Sequence, residues 1–257
     1  MCTTTAKKIN GNWILGKARD PVLWMRYEDE CRLFATPQDT YKKLIIQNPI
    51  PHEDGYYGGI NECGVAFVST FVRTSHDQVS YIRKPYVRLI LDAASARQAV
   101  EIIKSFNPKI GGNMLVADPG ECFGIEATAK EYYVEEVKEE CVKTNHFLHL
   151  SDRNLNFDVD ITFEPWTKAH LARAEELLPG VNSIEDMCEL FKDRVNSNKK
   201  CAISTTPSEA KCYTHSAFVF DCQSKMIYYA QGCPSEVDWK RYDFYNAPNA
   251  VTHEQID

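Results

Sequence analysis

A chain of 257 residues, 44% apolar and 25% charged, is long enough to bury a sizeable core, as one large domain or two small ones. A formal net charge of −7, with lysines and arginines scattered among the acids, argues against nucleic acid or an anionic membrane as the main partner. No apolar run approaches the roughly 18 residues of a membrane span, and Thr3-Thr4-Thr5 followed by Lys7-Lys8 is not the apolar segment of a secretion signal.

The chain opens on Met1-Cys2. Removal of Met1 leaves a terminal cysteine, which carries a nucleophile and its base on one residue: the thiolate attacks and the free α-amine takes the proton. An α-amine titrates at about 7.7 to 8.0, well matched to a thiol at about 8.5. Thr3-Thr4-Thr5 and Trp13-Ile14-Leu15 favour strands, and Asn10-Gly11 between them tolerates the positive φ of a tight hairpin. A two-residue loop pairs Cys2 with Arg19; a three-residue loop, Asn10 to Asn12, pairs it with Asp20. Either register brings the Asp20 carboxylate beside the terminus, where it holds and orients the ammonium.

Asp20-Pro21 breaks or diverts the strand. Residues 41–46 read as a strand and 48–55 as a loop. The glycine-rich run 58–64 reads as a turn leading into a buried strand, 65–72. Residues 87–91 read as a short strand, with Asp92 capping a helix over 93–106 whose apolar face is Ala96, Val100, Ile103 and Phe106 or Ala99. Strands are expected at 114–117, 122–126 and 132–137, although a helix also fits 129–140; Asp118-Pro119-Gly120-Glu121 is a turn. A helix over 167–178 stops at Pro179-Gly180. Another runs from Ser183 to about Asn196, opened by a capping box with Asp186 in place of glutamate. Strands over 212–220 and 226–230 and a polar tail from about 247 close the chain. This order suits α+β layers built on antiparallel sheets, in a single domain spanning 1–257.

The ten cysteines form no Cys-x-x-Cys pair, and their dispersion through apolar runs suits reduced, mostly buried thiols in a cytoplasmic setting. His146-x-x-His149 has a spacing compatible with a metal, but no third ligand lies near it in sequence. Neither metal nor cofactor is expected.

Several segments, in order along the chain, resemble the N-terminal-nucleophile hydrolases of the acyl-coenzyme A:6-aminopenicillanate acyltransferase type. Cys2-Thr3-Thr4 resembles the nucleophile strand and Gly16-Lys17-Ala18-Arg19-Asp20 the return strand. Gly59-Ile60-Asn61-Glu62-Cys63-Gly64 is similar to the family's Gly-x-Asn-x-x-Gly turn. Gly112-Asn113-Met114-Leu115-Val116-Ala117-Asp118 with Gly124-Ile125-Glu126 resembles its central hairpin, and Thr144-Asn145-His146 its Thr-Asn-His motif. The stretch from Thr214-His215-Ser216 to Gly232-Cys233-Pro234 resembles its closing hairpin. More distant similarity extends to choloylglycine hydrolases, penicillin V acylases and acid ceramidase-like amidases.

The resemblance implies a four-layer αββα sandwich with two antiparallel sheets. It implies Cys2 as nucleophile, Asp20 as its orienting carboxylate, the Asn145 side-chain amide as one oxyanion donor and the Asn61 main-chain N–H as the other. Bile-salt hydrolases and ceramidases carry an arginine three residues before the aspartate; Lys17 stands there in this chain, and Arg19 adjoins Asp20. Strand alternation puts Lys17 and Arg19 on the face opposite Asp20. Lys17, Arg19, Trp24 and Tyr57 are candidate substrate contacts. The implied activity is hydrolysis of a linear amide in a small acyl-amide substrate through a thioester, without nucleic acid or membrane as partner. Acyl transfer to an amine is the alternative, and a non-catalytic protein retaining the fold a third. Oligomeric state leaves no trace in the sequence.

Overall fold

The computed structural model describes residues 2–21, 29–48, 55–72, 84–106, 111–128, 130–151, 163–195, 202–206 and 213–250. The first hairpin joins β1 (Cys2–Ile9) to β2 (Asn12–Arg19). Asn10 and Gly11 both take positive φ, 51° and 83°, which matches the strand twist with a two-residue loop. The register follows: Cys2 pairs with Arg19 and Thr4 with Lys17.

The first sheet adds β10 (Glu140–Lys143) beside β1, and β11 (Ser216–Asp221), β12 (Met226–Gln231) and β13 (Trp239–Tyr242) beyond β2. The second runs in chain order: β3 (Glu30–Phe34), β4 (Lys43–Gln47), β5 (Tyr56–Asn61), β6 (Ala66–Thr70), β7 (Gly112–Ala117), β8 (Cys122–Ala127) and β9 (Tyr132–Glu136). All pairings between these strands are antiparallel.

Alternation along the strands builds three apolar layers. Between the sheets, Leu15, Phe218 and Phe220 meet Leu44, Ile60, Val68 and Leu115. On the outer face of the second sheet, α1 (Lys84–Ile90) and α2 (Ala96–Ser105) bury Val87, Ile90, Val100 and Ile103 against Phe67, Val116 and Ile125. On the outer face of the first, α3 (Phe163–Leu177) and α4 (Ile184–Phe191) bury Ala174, Met187 and Phe191 against Ile14, Ala18 and Val219. The result is the expected αββα sandwich. Gly16 is fixed by this packing, since a Cβ there would lie 2.3 Å from the Phe191 ring.

Several local expectations are corrected. Residues 87–90 belong to helix α1 and Leu91 to the turn after it, not to a strand: Val87, Ile90 and Leu91 form one buried stripe at helical spacing. Ser95, not Asp92, caps α2, its hydroxyl accepting from Gln98 N–H, while the Asp92 carboxylate pairs with Lys43. Gly58 to Asn61 are strand residues, and the turn begins only after Asn61. Residues 132–136 form β9, so the helical alternative falls. Residues 248–250 dock on β3 of the second sheet, with Leu33 N–H donating to Pro248 O and Ala250 N–H to Leu33 O, both at 2.8 Å.

Candidate active site

Cys2 lies half-buried at the start of β1, an interior strand of the first sheet. Its main-chain N–H donates to Asn145 Oδ1 at 2.6 Å, across 143 residues of sequence. Asn145 follows the end of β10, the other neighbour of β1, and is 6% exposed. Its Nδ2 donates to Phe71 O at 2.7 Å, and its own N–H donates to Thr167 Oγ1 at 2.7 Å. An amide group has two N–H bonds; the Phe71 contact uses one. The Thr144 hydroxyl donates to Thr167 O at 3.1 Å, and His146 Nδ1 lies 3.0 Å from Thr167 Oγ1, so α3 grips the Asn145 turn from the helical side.

Arg19, the cross-strand partner of Cys2, shares its face of the sheet. The guanidinium lies 3.8 Å from the centre of the Tyr57 ring, donates to Tyr57 Oη at 2.9 Å, and pairs with Asp29 Oδ1 at 2.9 Å. Burial pushes the Asp29 carboxyl up, opposed by Arg19 and by the hydroxyl of Ser216. Lys17 sits two residues deeper on the same face, opposite Thr4, with Nζ donating to Tyr57 O at 2.9 Å. Lys17, Arg19 and Tyr57 thus form one cluster. Arg19 is the cation in register with Cys2. Asp20 is buried immediately after Arg19, one residue past the last ladder pair. Trp24 lies outside the described residues.

Asn61 is not brought to this site. Its N–H donates to Val65 O, its Oδ1 accepts from Cys63 and Val65 N–H, and its Nδ2 donates to Leu91 O and Ala93 O. Every polar group closes the β5–β6 turn or anchors the chain after α1. The Asn145 turn meets the opposite end of β6, at Thr70 and Phe71, which the strand rise puts about 13 Å away. The expected oxyanion role of Asn61 is therefore withdrawn; Phe71 is the main-chain neighbour of Asn145 on that strand. Arg173 sits in the helical layer, held by Asp193 at 2.6 Å and Glu176 at 2.8 Å. Among the described residues, no group of His, Cys, Asp and Glu is arranged to hold a metal ion.

The sequence matches the family described as acyl-coenzyme A:6-aminopenicillanic acid acyl-transferase over residues 7–236. The chain belongs to this family. No curated protein matches it significantly. Among solved structures, penicillin V acylase from Agrobacterium tumefaciens is 14% identical with a TM-score of 0.56, over 96% of this chain and 87% of that one. A cysteine-to-alanine mutant of conjugated bile acid hydrolase from Clostridium perfringens is 13% identical with a TM-score of 0.52, over 98% and 99%. At these identities the likeness is one of fold.

Proposed function

We propose that this chain is an N-terminal-cysteine amidohydrolase acting on a small acyl amide. The observation that carries the reading is the hydrogen bond from the Cys2 nitrogen to Asn145 Oδ1. It requires Cys2 to be the first residue of the mature chain, so that this nitrogen is an amine. The amine keeps one N–H on Asn145 Oδ1, which aims its lone pair at the thiol. It takes the thiol proton, and the thiolate attacks the amide carbonyl carbon. The second Nδ2–H of Asn145 serves the tetrahedral oxyanion, where a donor of this kind contributes about 2.7 to 4 kcal/mol. As the intermediate collapses, the C–N bond breaks and the ammonium passes its proton to the leaving nitrogen. Water, deprotonated by the amine, then splits the thioester and releases the acid with Cys2 regenerated. Asp20 is assigned to hold the ammonium, and Arg19 and Tyr57 to border the reacting thiol.

Acyl transfer is the second reading, favoured by the family match: an amine replaces water in the last step. The free thiols among the described cysteines support a cytoplasmic setting. No described helix is long and apolar enough to cross a membrane. The test is turnover of penicillin V, N-acyl amino acids and simple acyl amides, with and without an added amine. Hydrolysis lost in Cys2→Ala supports the first reading, and an amide product formed with added amine supports the second. Turnover surviving in Cys2→Ala overturns both.

A further inference from the structure

The segment that carries Asn145 has no secondary structure of its own, yet its first half, Thr144 to Phe147, is buried. Residues 144–150 leave β10 at Lys143 and form neither helix nor strand. Buried main-chain groups need partners, and outside secondary structure these come from side chains. Here, apart from Thr167 of α3 on the Asn145 N–H, they come from a single row across the second sheet. Thr70 pairs with Asn113, Asn113 with Glu126, and Glu126 with Tyr133, so four residues from β6 to β9 lie side by side. Thr70, Asn113 and Glu126 are at most 1% exposed. Each has the same strand parity as an interior residue, Val68, Leu115 and Cys122 respectively, and so faces the first sheet.

The contacts follow the segment in order. Thr70 Oγ1–H donates to Thr144 O at 2.5 Å. Asn113 Nδ2 donates to Thr144 O at 2.7 Å and to His146 O at 2.8 Å. Glu126 accepts from Leu148, His149 and Leu150 N–H at 2.9 to 3.0 Å. The Tyr133 ring stacks on His149, centres 3.9 Å apart. Lys143 Nζ lies 3.1 Å from Glu126 and 2.8 Å from Glu135, supplying the counter-charge. Burial pushes the Glu126 carboxyl up, but the three N–H donors and Lys143 outweigh it and hold it below its ordinary value.

We propose that Thr70, Asn113, Glu126 and Tyr133 form a positioning seat that fixes the main chain of 144–150 and so holds the Asn145 amide on the Cys2 nitrogen. The catalytic part of this role rests on the assignment of Cys2 and Asn145 to the reaction. The seat acts through Asn145, and its loss has no consequence where Asn145 is already gone.

Glu126→Gln, which swaps one acceptor oxygen for an amide and leaves Lys143 with Glu135 as its remaining charge partner, is made in the native and the Asn145→Ala backgrounds. Thr70→Val, nearly equal in volume, is the second variant should Glu126→Gln not fold. Acylation is read in single turnover as p-nitrophenolate release from p-nitrophenyl butyrate, and the seat by hydrogen exchange of the amides of 144–150. In Glu126→Gln, exchange at Leu148, His149 and Leu150 rises about tenfold or more. Acylation falls about tenfold in the native background and less than about twofold in Asn145→Ala, because neighbours in one network are not additive. For Thr70→Val the same pattern is expected with smaller factors and exchange rising at 144–146. Equal losses in both backgrounds, or unchanged exchange, overturn the seat. If the native chain is never acylated, the catalytic reading fails, and with it the catalytic role of the seat, even where exchange responds.

Discussion

Replacing Asn145 by aspartate and by alanine separates its two contacts. Asn145→Ala removes both the Oδ1 acceptor on the Cys2 nitrogen and the Nδ2 donors. Loss of an oxyanion donor costs about 2.7 to 4 kcal/mol, so kcat falls by about 10² to 10³. KM changes little, because the ground-state carbonyl is a weak acceptor and the donor acts mainly in the transition state. Asn145→Asp is closer in shape and keeps an oxygen for the Cys2 nitrogen. It places a negative charge where the oxyanion develops, and turns the Nδ2 contact with Phe71 O into two opposed oxygens. Two like charges about 4 Å apart at an effective dielectric of 20 repel by about 4 kcal/mol. The aspartate variant is therefore expected to be at least about tenfold slower than the alanine variant, part of the repulsion being relieved by protonation or displacement. Single-turnover acylation with p-nitrophenyl butyrate gives both rates directly. An aspartate variant faster than alanine would show that the oxygen facing Cys2 is what matters, and would refute the oxyanion role.

Asn61→Ala should lower stability by several kcal/mol, since four main-chain groups lose their partner, while the folded fraction keeps native kcat; thermal melts beside active-site-normalised rates check this. Acid should destabilise the fold. Burial pushes the Asp39 carboxyl up, but Lys43, Arg88 and Thr36 outweigh it and hold it at about 2, and Glu126 also lies below its ordinary 4.5. Such depressed carboxyls contribute stability that is present above about pH 4.5 and is lost as pH falls through their folded values, so urea midpoints should fall from about pH 4.5 downward and fall less steeply in Glu126→Gln. A midpoint that rises as pH drops through this window would contradict the sign. Brief iodoacetamide labelling at neutral pH should mark Cys2 first. Burial pushes Cys141 and Cys188 to about 12 and Cys122 and Cys222 well up, leaving little thiolate at any of them. Labelling elsewhere with Cys2 inert would remove the nucleophile.

The hairpin at Asn10-Gly11 was legible, but its register was not: the sequence allowed Arg19 or Asp20 opposite Cys2, and the positive φ of both Asn10 and Gly11 closes the two-residue loop that selects Arg19. The α+β class with antiparallel sheets was legible from strand and helix periods; the αββα layer order came from the family resemblance alone. A short, mostly apolar run such as Val87-Arg88-Leu89-Ile90-Leu91 was not legible, since a short strand and one buried turn of helix share that pattern; only the packing of Val87, Ile90 and Leu91 on the second sheet decides. Asn61 misled for another reason. Its motif marks a turn, but whether a turn faces the nucleophile depends on which end of β6 meets β1, and that is set by sheet packing. Glu126 did leave a signal: a single charge on the inward phase of an otherwise apolar strand, where an unpaired charge is not tolerated, and Lys143 is its partner. The other partners of Glu126, the main-chain amides of 148–150, carry no signature in any side chain.

The central claim is that Cys2, freed of Met1, forms the acyl-enzyme. Intact mass and peptide mapping of the native protein, quenched in acid during turnover of p-nitrophenyl butyrate, test it in one measurement. The expected result is a chain lacking Met1 with one butyryl group on the Cys2 peptide, absent from Cys2→Ala. Turnover by protein that retains Met1, or an acyl group carried on any other residue, would contradict the account.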